Sequence, residues 1–178
     1  MTSISSPAEI ITLLKDIESR SQHGASELTQ QHNSWAAVDF RIGQDHYLIP
    51  LNETREIFPI PEHVTLVPKS EPWVFGIANL RGELLPLFDL NYFLSGQATK
   101  INKRSRIIVI NHDNLYSGLL LDEVFGLKHF HQEPEEGSQT NSAISPYLNG
   151  HISQQEHHWD VFSFNKLAAD PRFLNAAA

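Results

Sequence analysis

The chain has 178 residues, 40% of them hydrophobic, which suits one compact domain or two small ones sharing a core. With 21 acidic against 13 basic side chains it carries a net charge of −8, so it lacks the basic excess that nucleic-acid binding draws on, and an anionic membrane surface would repel it. There is no cysteine, which removes disulfides, thiolate metal sites and cysteine nucleophiles.

Met1–Ile10 has neither a basic start nor a long apolar stretch, so no signal peptide is expected. The apolar runs, such as Ile107–Ile110 and Leu119–Leu121, are too short to span a bilayer, and a soluble, intracellular protein without direct membrane insertion is expected. Ser6-Pro7-Ala8-Glu9 reads as a capping box with proline at the first helical position. Ile10, Leu13, Leu14 and Ile17 then form an apolar stripe at helical spacing, able to pack on its own domain or to dock a partner. The polar stretch from Ser19 to Ser34 reads as a linker, so residues 1–34 form an N-terminal helix and linker ahead of a main domain over 35–178.

From Trp35 the periodicity changes to that of strands. Val38, Phe40 and Ile42 alternate with Asp39 and Arg41, Gly43-Gln44-Asp45 supplies a turn, and His46–Leu51 returns. Asn52–Ile57 reads as a helical turn or a continuation of that strand, Pro59 and Pro61 mark a loop, and Val64–Val67 reads as a short strand ended by Pro68. Two strands follow around Gly82, whose freedom at positive φ permits a tight reversal, and Pro86 inside the second suggests an edge or a bulge. Asn91–Leu94 reads as a short helix ended by Gly96, with Asp89 bonding backbone at its start. Arg106–Ile110, Tyr116–Asp122 and Leu127–Phe130 are further strands, and Glu133–Ser142 is an acidic, polar loop. Tyr147–Ile152 and Trp159–Phe164 make a last pair, and Lys166–Ala169 begins a short C-terminal helix that Pro171 interrupts.

Many short strands with Gly and Pro between them favour a barrel or sandwich. The chain also echoes itself. Trp73–Leu94 slides without a gap onto Tyr147–Ala168, with Gly76 on Gly150 and Phe88 on Phe162, while Ile49–Glu53 falls on Leu119–Glu123. Two similar halves, each making a small barrel, are the expectation.

Chemical motifs are scarce. His129-x-His131 and His157-His158 invite a metal, but no cysteine assists and no helical His-x-x-x-His occurs, so no metal or other cofactor is expected. There is no Gly-x-Ser-x-Gly elbow, no Gly-x-Gly-x-x-Gly and no Walker loop, and Glu133-x-Glu135-Glu136 reads as a solvated loop and not as paired catalytic carboxylates.

The segment Glu71-Pro-Trp-Val-Phe-Gly-Ile-Ala-Asn-Leu-Arg-Gly-Glu-Leu-Leu-Pro-Leu-Phe-Asp-Leu90 resembles the central signature of the CheW family. Phe40–Leu51, Arg55-Glu56-Ile57 and Leu119–Gly126 resemble its flanking elements in the same order, so the likeness covers about Trp35 to Phe173. Within the family, Gly-Ile-Ala-Asn-Leu-Arg-Gly-x-Leu-Leu-Pro, the N-terminal extension and the ending Trp159-x-x-Phe162…Leu167-Ala-x-Asp170-x-x-Phe173 are similar to the PilI-type subgroup of type IV pilus twitching-motility adaptors. The resemblance implies two SH3-like five-stranded β-barrels around a shared core, as two intertwined subdomains of the domain over 35–178. It implies a non-enzymatic adaptor that joins the cytoplasmic tip of a methyl-accepting chemoreceptor to the regulatory domain of a CheA-like histidine kinase, in the cytoplasm and recruited to receptor arrays. The chain is too short for a receiver, an ATP site or a phosphotransfer domain, which disfavours CheV-like and CheA-like proteins. A flagellar chemotaxis adaptor is the nearer alternative, and a hydrolase or ligand-binding barrel built on the histidines the more distant one.

A guanidinium between Leu80 and Gly82, in an apolar stretch, must be paired or must face a partner. Glu56, which precedes Ile57 on the adjoining segment and resembles the family's partner carboxylate, is expected to pair with Arg81 beside a receptor-facing groove; the alternative is that Arg81 merely caps a turn. Candidate partner-binding residues are Glu56, Asn79, Leu80, Arg81 and Gly82 at that groove, and Val67, Pro68 and Leu85 on an edge that would meet the kinase.

Overall fold

In the computed structural model, Lys15 and residues 34–112, 115–137 and 142–176 are described. The expected N-terminal helix and linker fall outside them, Lys15 and Ser34 apart. Ten strands carry the fold: β1 (Trp35–Ile42), β2 (Asp45–Pro50), β3 (Thr54–Pro59), β4 (Val74–Leu80), β5 (Glu83–Asp89), β6 (Arg106–His112), β7 (Leu115–Leu121), β8 (Glu123–Phe130), β9 (Leu148–Gln154) and β10 (His157–Phe162). Short helices stand at α1 (Leu90–Ser95), α2 (Phe164–Ala168) and α3 (Pro171–Leu174).

The strands form two five-stranded sheets, ordered β8-β1-β2-β10-β9 and β3-β6-β7-β5-β4. In each, one pair is parallel (β2 with β10, β5 with β7) and the other ladders are antiparallel. One face of the first sheet gathers Ala37, Leu48, Phe130, Ile152, Trp159 and Val161, drawn from all five of its strands, outer ones included. Ala78, Leu85, Leu87, Ile107, Val109 and Leu120 do the same in the second sheet, with Phe58 of β3 packed against them. A sheet whose two outer strands share one core has curled into a barrel. The opposite faces meet in a larger common core that holds Phe40, Ile49, Ile57, Phe88, Ile108, Ile110, Leu119, Leu121, Phe162 and Phe164. Burial on both faces explains the unbroken apolar runs at Ile107–Ile110 and Leu119–Leu121, where one-sided strands would alternate.

The echo in the sequence is an echo in space. β4 to α1 recur as β9 to α2 at a shift of 74 residues (Val74 to Leu148), and β1 to β3 recur as β6 to β8 at about 70. The isolated bridge Thr65–Ile77 recurs as Glu135–His151. Gly76 and Gly150 sit at φ of 141° and 100° beside these bridges; a Cβ on Gly76 would lie 2.6 Å from the Thr65 carbonyl oxygen. Asp89 takes the Tyr92 N–H at the start of α1, as Ser163 takes the Lys166 N–H at the start of α2.

Three expectations are corrected. The halves do not each make their own barrel: the first sheet joins β1 and β2 to β8, β9 and β10, and the second joins β3, β4 and β5 to β6 and β7. Val64–Val67 is no strand, since only Thr65 bridges to β4. Pro86 is on an interior strand, just ahead of the point where the parallel ladder to β7 begins at Leu87, so its missing N–H removes no bond there. Pro171 also opens α3 at its first turn, with Asp170 as cap.

Candidate functional site

The reversal between β4 and β5 is a two-residue turn, Arg81-Gly82, with φ of 54° and 89°. Positive φ at both positions is the geometry that matches the twist of a hairpin. Asn79 accepts the Gly82 N–H through its side-chain oxygen at 2.9 Å and fixes the turn. The turn carries Arg81 out to solvent, and its Nη2 reaches Glu56 Oε1 at 2.8 Å, with 69% of the arginine side chain exposed against 19% of the glutamate. The guanidinium also covers the Phe58 ring at 5.4 Å. β3 and β4 are the two outer strands of their sheet, so the ion pair ties the open edges of the barrel together at its rim. Leu80, half-buried, packs down into the barrel core beneath it.

The second copy of the repeat folds without this pair. Gly126 occupies the place of Glu56, opposite Asp39 as Glu56 is opposite Val109, and Gln155 occupies that of Arg81. Its turn, Gln155-Glu156, also has positive φ at both positions, 50° and 66°. Among the described residues no ion pair joins these two positions in the second copy, where Lys128 instead approaches Asp39 at 4.0 Å.

A family model for the CheW-like domain matches residues 36–172. The chain belongs to the CheW-like family. It is 35% identical over 170 residues to Protein PilI of Pseudomonas aeruginosa, covering 93% of this chain and 94% of that one. It is 32% identical to the chemotaxis protein CheW of Helicobacter pylori over 62% of this chain and 68% of that one. The crystal structure of the scaffolding protein TtCheW from Thermoanaerobacter tengcongensis superposes with a TM-score of 0.62 at 21% identity, covering 72% of this chain and 88% of that one, which is a likeness of fold.

Within this CheW-like domain the structure brings Glu56, Asn79, Leu80, Arg81 and Gly82 to one rim. Val67 and Pro68 are on the same outer edge but at the other end of β4. Thr65 pairs with Ile77 in antiparallel sense, so Val67 runs towards Phe75, roughly 20 Å along the strand from Arg81. Leu85 is a correction: it is wholly buried in the barrel core, and alternation along β5 puts Leu84, 70% exposed, on the outer surface instead. With Leu66 at 76% exposure, Leu84 is one of the large apolar side chains left in solvent.

Other rim residues were not singled out in the sequence. Arg55, at the bulge in β3, lies 4.8 Å above the Tyr116 ring and 3.7 Å from Glu83. Burial, aided by a hydrogen bond to Glu83, raises the Tyr116 phenol above its ordinary value. In the second copy the corresponding pair is Phe125 stacked on His46 at 4.5 Å, a contact the shift of 70 residues could have flagged. Among the described residues no group of three His, Cys, Asp or Glu side chains is placed to hold a metal ion, and no helix is long and apolar enough to cross a membrane.

Proposed function

We propose that this CheW-like chain is a scaffold without catalytic activity that joins a methyl-accepting chemoreceptor to a CheA-like histidine kinase, in the control of type IV pili and twitching motility. The rim of Glu56, Asn79, Leu80, Arg81 and Gly82 meets the receptor's cytoplasmic tip. The outer edge at Leu66, Val67 and Pro68 meets the kinase's regulatory domain, so the protein gathers at membrane-associated arrays through its partners and needs no cofactor. The likeness to PilI over nearly the whole chain favours the pilus pathway over the flagellar one.

The observation that carries this reading is the Glu56–Arg81 pair, held out on a rim where the sister barrel makes do with Gly126 and Gln155. An exposed ion pair contributes about 0.2–1 kcal/mol to stability, too little to account for building it there. Exposed Leu66 and Leu84 supply the apolar anchors that a protein interface needs.

Pull-down from cell lysate tests it. The wild type brings down a methyl-accepting receptor and a CheA-like kinase together. Arg81→Ala keeps the kinase and loses the receptor, and Leu66→Glu does the reverse. A folded Arg81→Ala protein that still couples the two defeats the proposal.

A further inference from the structure

The stretch between α1 and β6, residues 97–106, reads Gln-Ala-Thr-Lys-Ile-Asn-Lys-Arg-Ser-Arg. It gathers Lys100, Lys103, Arg104 and Arg106 without one acid, while the rest of the chain holds 9 basic against 21 acidic side chains, a net charge of −12. So sharp a reversal of sign is a local electrostatic feature in its own right.

The loop has a fixed shape. Asp89 anchors its start by accepting from the Thr99 N–H and hydroxyl, both at 2.8 Å. Asn102 accepts the Arg104 N–H at 2.8 Å, and the Ser105 hydroxyl accepts the Asn102 N–H at 3.0 Å. Arg106 donates back to the Lys103 and Ser105 carbonyls at 2.9 and 2.8 Å, and Arg104 reaches Glu123 at 3.5 Å. Two arginines are thus spent on the loop and its surroundings. Lys100 and Lys103 are exposed, and no ion pair joins either to a carboxylate among the described residues. Ile101 stands between them, 49% exposed. The loop runs into β6 at Arg106, which pairs with Pro59, three residues or roughly 10 Å of backbone along β3 from Glu56.

We infer that this loop is a docking site for an acidic segment of a partner protein, its carboxylates taken by Lys100 and Lys103 with an apolar side chain against Ile101. A lipid surface or nucleic acid fits poorly, because the surrounding charge of −12 repels both. That the partner is a protein rests on the scaffold reading; the sign of its charge rests on the loop alone.

The test uses the full chain, its K100E/K103E variant, the soluble cytoplasmic fragment of the receptor and the regulatory domain of the kinase. Titrations are run at low and moderate salt. Reversal of the two charges is expected to weaken binding of at least one fragment about tenfold and to flatten its salt dependence, with the melting temperature unchanged. Unchanged affinity and salt dependence for both fragments overturns the docking site and leaves the scaffold reading standing. A wild type that binds neither fragment overturns both. Wild type that sediments with phosphatidylglycerol vesicles, where K100E/K103E does not, reassigns the loop to a membrane and overturns the proposal.

Discussion

At position 81 the chain places an arginine where the turn geometry favours asparagine or glycine. A branched or long side chain in the left-handed region costs on the order of 1 kcal/mol, and Asn-Gly is the sequence this turn prefers. Arg81→Asn is therefore expected to leave the melting temperature unchanged or raise it by a few degrees, while receptor coupling is lost. Thermal melts beside pull-downs separate the two, and a variant that both melts higher and couples normally would make the arginine a bystander. This residue was legible in the sequence because a lone charge in an apolar run demands a partner. Leu85 was misjudged because Pro86 hides the alternation that turns Leu84 out and Leu85 in. Glu53 carried no sequence signal at all, since its neighbours are distant in the chain. Its carboxylate is partly buried, which raises its pKa, and backbone bonds from Phe164, at 2.7 Å, and Asn165 only partly oppose that. A raised folded pKa means stability present below the ordinary carboxylate range and lost as pH rises through the raised value. Glu53→Gln is thus expected to melt higher than wild type at neutral pH and equally at pH near the ordinary glutamate value of about 4 or below.

Among the elements, the C-terminal turns show how little local sequence says about a segment's work. Asp170 caps α3 through the Arg172 N–H and accepts from the Tyr147 hydroxyl at 2.5 Å and from the Arg172 guanidinium at 3.2 Å. Burial alone would raise the Asp170 carboxyl; the bonds from Tyr147 and Arg172 outweigh it and hold it below the usual range. These bonds seat Phe173 among Trp73, Phe88, Phe93 and Phe164, residues from both halves of the chain. Glu71 N–H completes the seam with the Ala176 carbonyl at 3.2 Å. The expected helix at Lys166–Ala169 is α2; α3, beyond the proline expected to interrupt it, was not legible, because Phe173 closes a cluster whose rings Trp73, Phe88 and Phe93 are about 80 to 100 positions upstream. Removing the ring leaves a cavity in that cluster, so Phe173→Ala is expected to lose about 3–5 kcal/mol in urea unfolding. A loss below ~1 kcal/mol would show that the last turn merely rests on the fold.

For the whole molecule, the repeat and the barrels are separate facts. Side chains repeat at shifts of 70 and 74, and that much was readable because both copies bury the same positions on the same kind of strand. Which copy a strand pairs with leaves no mark on its own residues, since β3 and β8 are each buried against a sheet whichever partner they take. The structure settles it by exchange: β3 bonds β6 of the second half, and β8 bonds β1 of the first. The parallel ladders, β2 with β10 and β5 with β7, cross between halves as well. Cut between Lys103 and Arg104, the first fragment keeps β1 with β2 and β4 with β5, but β3 has no neighbour; the second keeps β6 with β7 and β9 with β10, but β8 has none. Isolated hairpins are marginal in water, and each fragment would expose the half of the common core that the other covers. Each fragment alone is therefore expected to give the collapsed amide spectrum of an unfolded chain, and mixing them in equal amounts to restore dispersed resonances and near-ultraviolet circular dichroism. Independent barrels would behave otherwise: a fragment with dispersed resonances by itself would mean that the exchanged strands are not what holds the two halves together.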